Sequence, residues 1–124
     1  MPAASRLLLF LAGLAGAAGV ALAAAAAHLG GAGLETAATF LMLHAAALVG
    51  IAALSGRSDS PMGVGARVAL GGGFLMLFGL VLFCGDLAAR AFLDDRLFPM
   101  AAPIGGTLLI ASWLVIALSA LPRR

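Results

Sequence analysis

The sequence contains no lysine and no tyrosine, a single cysteine (Cys84), a single tryptophan (Trp113), and only 10% charged residues among 124. Each shortage excludes something. One thiol cannot close an internal disulfide, and with no CxxC partner it is not a redox pair. A disordered tail needs high charge and few apolar residues, and a soluble domain carries about a quarter of its residues charged. Neither fits. The pI of about 10.1 invites a nucleic-acid reading. However, the net charge is only +2, and the basic residues Arg6, Arg57, Arg67, Arg90, Arg96, Arg123 and Arg124 are scattered. No stripe exists to follow a phosphate backbone, so no nucleic-acid partner is expected.

What the chain has instead is apolar bulk: 64% of residues, a mean hydropathy of +1.18, 17 glycines and still more alanines. A helix crossing a bilayer needs about 20 apolar residues, so four spans consume about 80 residues and leave no room for a soluble domain. Charges delimit four such runs: 7–27 after Arg6, 36–54 after Glu35, 68–85 between Arg67 and Asp86, and 103–121 before Pro122. The runs are continuous, without the alternation of a barrel strand, as spanning helices require. Pro103 suits a first helical turn. Arg6, the first run and Ala25-Ala26-Ala27 also resemble a signal peptide, but 21 apolar residues exceed the usual h-region and suffice to span. The expectation is an all-α membrane protein, a bundle of four transmembrane helices with short loops, forming a single domain over 1–124. Five arginines would face one side and only Arg90 and Arg96 the other, which places both termini in the cytoplasm.

Small residues indicate how the helices meet, because lipid supplies little hydrophobic drive for their association. Ala15, Gly19, Ala23 and Ala27 repeat every four residues in the first run. Gly72 and Gly79 lie seven apart in the third, with Asp86 next on the line, and Gly105, Ser112 and Ser119 repeat this in the fourth. A seven-residue period suits left-handed crossings. Gly71-Gly72-Gly73 lacks the Lys-Ser/Thr of a phosphate loop and reads as close packing or a kink.

Four stretches resemble the motifs of a small bacterial inner-membrane family, domain of unknown function 423, which has a mitochondrial relative, transmembrane protein 256. They are Ala26-Ala27-His28 before a Gly-containing loop; the segment from Phe40 through His44-Ala45-Ala46-Ala47-Leu48; Gly79 to Asp86; and Pro103-Ile104-Gly105-Gly106 with Ser112-Trp113. The resemblance covers nearly the whole chain. It implies four transmembrane helices and a bacterial inner-membrane location, and no activity. The chain departs from the family pattern in lacking tyrosine, in carrying Cys84 and Asp86 where Ser is usual, and in Ser112 where Gly precedes Trp.

The polar residues of the spans are the candidates for chemistry. His44 would lie about 12 Å along the second helix from Thr36, near the midplane. It reads as a haem or metal ligand, a proton relay or a quinone contact, or as a neutral imidazole bonded to a neighbouring helix. His28 ends the first run, and the loop from His28 to Glu35 would have to re-enter the membrane for both imidazoles to reach one haem. Two His and one Cys without ligand spacing do not build a zinc site, and no nucleophile and base are paired for catalysis. Asp86, Arg90 and Asp94, four apart, form either an interfacial ion-paired extension ended by Pro99 or a proton or cation site at Asp86. Cys84 reads as a packer, and Trp113, mid-helix, as a contact with protein. Thr39, Ala46, Gly50 and Ala53 form a small-residue face about 140–160° from His44. The expectation is a non-enzymatic structural or accessory subunit, with no cofactor or metal, packing with itself or with a larger membrane complex. The rival is a small transporter or redox, quinone or haem accessory using His44 and Asp86.

Overall fold

The computed structural model describes residues 1–57 and 61–122; Arg123 and Arg124, counted in the charge asymmetry, lie outside them. Four helices follow one another: α1 (Ala3–Leu29), α2 (Ala32–Ser55), α3 (Val64–Leu93) and α4 (Ala101–Ser119). All four are long and apolar enough to cross a membrane. Large apolar side chains stand exposed on every one, among them Phe10 and Leu14 on α1, Leu43 on α2, Phe78 and Val81 on α3, and Ile110 and Leu114 on α4. A surface of this kind is solvated by acyl chains.

Helical structure runs past the apolar runs, except that α4 stops at Ser119, short of Leu121. α2 begins at Ala32 rather than at Thr36, because only Gly30 and Gly31 separate it from α1. Both glycines adopt positive φ, 74° and 98°, backbone that costs an L-residue energy but not glycine. Glu35 then sits in the first turn of α2, where the helix dipole favours a carboxylate. α3 is longest, at 30 residues. Arg67 and Asp86 on it are about 28 Å apart at 1.5 Å per residue, close to the roughly 30 Å hydrocarbon thickness. Its ends therefore project into both interfaces. α3 stops at Leu93, earlier than the Pro99 stop expected, because Asp94 takes the left-handed conformation (φ 54°) as its cap. α4 starts at Ala101, and Pro103 falls in its first turn, where a missing N–H costs nothing.

The chain packs serially and antiparallel: α1 on α2, α2 on α3, α3 on α4, with a light contact between α1 and α3. Among the described residues, the α4 backbone approaches neither α1 nor α2, so the bundle is open on that side. The α1 seam departs from the expected four-residue line. The buried positions are Ser5, Leu8, Ala12, Ala15, Gly19 and Ala26, alternating three and four apart as in a left-handed seam. Ala23 is only half-buried and Ala27 is exposed. Gly19 sits against α2, where a Cβ would come within 2.7 Å of Met42 Cγ.

The α3–α4 seam follows the seven-residue period. Gly79 faces Gly105 backbone to backbone: a Cβ on Gly105 would stand 2.5 Å from the Phe83 nitrogen and 2.7 Å from the Gly79 oxygen. Gly72 meets Val115, Ile116 and the Ser112 carbonyl, and Gly65 meets the Ser119 carbonyl, which extends the line one position beyond Gly72. Ser112 and Ser119 turn their hydroxyls onto their own helix, donating to the Leu109 and Ile116 carbonyls at 2.7 and 2.6 Å, and so pack as small residues. In the glycine triplet, Gly72 faces α4 while Gly73 faces Leu8 of α1 and Ile51 of α2. The triplet serves packing on two sides.

Candidate functional site

His44 lies at the middle of α2, buried. Phe40, one turn earlier, stacks on it with ring centroids 5.5 Å apart, and Phe83 of α3 packs on Phe40 at 4.6 Å. Nδ1 of His44 lies 2.7 Å from the Phe40 carbonyl oxygen, and a carbonyl can only accept, so Nδ1 carries the proton. Nε2 is then a lone-pair acceptor, and the Trp113 indole N–H of α4 donates to it at 3.3 Å. The neutral imidazole thus has both nitrogens occupied. The Trp113–His44 bond also bridges the open side of the bundle, joining two helices whose backbones do not meet. Trp113 remains 45% exposed, so the bridge sits at the bilayer-facing rim.

His28 is exposed in the last turn of α1. With α2 starting at Ala32, His44 lies about 18 Å along its axis from the loop, further than the sequence spacing suggested. The structure does not bring the two imidazoles together. Among the described residues, no three His, Cys, Asp or Glu side chains cluster as metal ligands would.

Asp86 is fully buried, and both of its oxygens are engaged. Arg90 Nη2 donates to Oδ2 at 2.6 Å, and the Leu97 backbone N–H donates to Oδ1 at 3.0 Å. The carboxylate ties the 94–100 loop down onto the end of α3, with Leu97 lying over Gly85. Asp94, as the cap, does not continue the helical face of Asp86 and Arg90. Cys84 is buried and directs its thiol at the Ala37 carbonyl of α2, 3.5 Å away, a weak contact within the core. On α2, Thr39, Ala46, Gly50 and Ala53 all face outward, and nothing lies within 4 Å of where a Gly50 Cβ would be.

Sequence reasoning identified His44 and Trp113 separately without pairing them. Their common depth was the available signal, since a midplane acceptor and a midplane donor on different helices can satisfy each other. Leu97 left no signal, because what Asp86 binds is its backbone.

The class these features define is a small four-helix integral membrane protein whose buried His44 and Asp86 find their partners within the chain. The family described as protein of unknown function (DUF423) matches residues 15–106, and the chain belongs to it. Among its relatives, a UPF0382 membrane protein of Staphylococcus epidermidis is 33% identical over 87 residues, covering 70% of this chain and 66% of that protein. One of Staphylococcus haemolyticus is 32% identical over 85 residues, covering 68% and 64%. The chain thus spans just under two thirds of the length of the curated relatives it matches. No solved structure matches it.

Proposed function

We propose that this protein is a non-enzymatic subunit of the bacterial inner membrane, which packs through the outward face of α2 with a second copy or with a larger membrane complex. The observation that carries this reading is the stripe Thr39, Ala46, Gly50 and Ala53, which faces away from the bundle. Small residues allow close backbone approach between helices in lipid, and this stripe is not used by α1, α3 or α4. The engagement of both His44 nitrogens and both Asp86 oxygens within the chain supports the same reading over transport or redox chemistry, which need free polar groups. Arginine placement supports cytoplasmic termini, with Arg6, Arg57 and Arg67 at one end and Arg90 and Arg96 at the other.

Cysteines introduced one at a time at Ala46 and Gly50, in a Cys84→Ala background and in native membranes, test the interface. The expected result is an inter-chain crosslink, either a homodimer band or a heavier adduct with a stoichiometric partner. Absence of any inter-chain product at every outward α2 position would sink the idea.

A further inference from the structure

A cavity lies at the end of the bundle that carries the two short loops. Of about 450 Å³, it is walled by Leu29, Leu34, Leu87 and Ala91, floored by loop glycines, and entered by Arg90. A second cavity, of about 380 Å³, is also lined by Arg90, together with Asp94, Asp95 and Arg96. Arg90 is 41% exposed and is held in place through Nη2 by the buried Asp86, so the rest of its donor fork is free for an acceptor. Because α3 overshoots the hydrocarbon thickness beyond Asp86, both cavities lie at headgroup depth. Gly33 lines the first cavity with open space where a Cβ would be. It lies in the first turn of α2, and packing there does not require glycine.

Charge decides what fits. Asp86 is already paired with Arg90, so the carboxylates open to a ligand beside this arginine are Asp94 and Asp95, with Arg96 next to them. A purely anionic headgroup would meet Arg90 but be repelled by the carboxylates next to it. A headgroup carrying both a phosphate and a compact ammonium satisfies both cavities: phosphate on Arg90, ammonium among Asp94 and Asp95, and an acyl chain along Leu29, Leu34 and Leu87. We propose that these two cavities, which share Arg90, bind a phospholipid with a phosphate and a primary ammonium in its headgroup.

The test is native mass spectrometry of the full chain released from nanodiscs containing equal parts phosphatidylethanolamine, phosphatidylcholine and phosphatidylglycerol. The ethanolamine lipid is expected to be retained above both others. Asp94→Asn with Asp95→Asn should lower that enrichment about three- to fivefold, as expected for the loss of exposed ion pairs. Asparagine tolerates the left-handed backbone at position 94, so this variant keeps the fold. Gly33→Leu, which fills the cavity, should release the bound lipid, and soluble glycerophosphoethanolamine should not compete. Equal or greater retention of the glycerol lipid overturns the proposal, as does an unchanged ratio in the double variant. Lipid retained by a folded Gly33→Leu chain, or complete displacement by the soluble headgroup, overturns it equally.

Discussion

At the scale of single residues, the buried His44 and Asp86 act as fasteners. A polar atom left without a partner in the bilayer costs several kcal/mol, and His44 avoids this cost by donating to its own helix and accepting from Trp113. Interhelical hydrogen bonds in membranes are worth about 0.6 kcal/mol on average, because the separated helices find other partners. Trp113→Phe should therefore lower stability by about 0.6–1 kcal/mol in a detergent-unfolding titration, small in energy but located on the α2–α4 bridge. Asp86 bears more weight because it is the fully buried half of its pair. Asp86→Ala leaves the Leu97 N–H unbound and Arg90 without its anion, and should destabilise by about 1–3 kcal/mol. Asp86→Asn keeps an acceptor for Leu97 and should cost less. Hydrogen exchange at the Leu97 amide separates the two, with faster exchange expected in the alanine variant. Equal exchange in wild type and Asp86→Ala would show that the loop is held by something else.

At the scale of elements, glycine does different work at different positions. At Gly105 an added methyl would strike backbone atoms of α3, which cannot rotate away. Gly105→Ala should force α4 outward and cost about 1–3 kcal/mol, the range for overpacking. At Gly50 nothing stands in the way, so Gly50→Ala should stabilise the isolated chain by a few tenths of a kcal/mol up to about 1 through helix propensity. Reversible thermal or detergent unfolding of the two variants side by side checks both signs. The seven-residue line on α3 and α4 was legible in the sequence because the period is regular and Gly72, Gly79, Gly105, Ser112 and Ser119 on it are small. The α1 line was not, because alanine occupies so many positions that a four-residue and a three-four spacing both look continuous there. Only the partner helix distinguishes the side of α1 that is buried.

At the scale of the whole molecule, packing is sequential, and α4 is held by α3 and by one side-chain bridge. An open side of this kind fits a subunit that meets other helices in the bilayer, and it makes topology the first property to measure. Alkaline phosphatase fused after Gly31 or after Leu97 should be active, and fused after Arg57 inactive, if the arginine-rich end is cytoplasmic. The reverse pattern would invert the orientation and leave the fold untouched.

Hydropathy and charge along the chain were enough to determine four helices, their approximate limits and the bilayer as their solvent, because burial in lipid acts on each segment through its own composition. Family membership was also legible, in motifs spread along nearly the whole length. The tertiary structure decided the pairings: His44 with Trp113, Asp86 with the Leu97 amide, and the outward turn of the small face of α2. These depend on the rotation and depth of one helix against another. A sequence of small, interchangeable residues specifies those quantities only through the sum of its contacts.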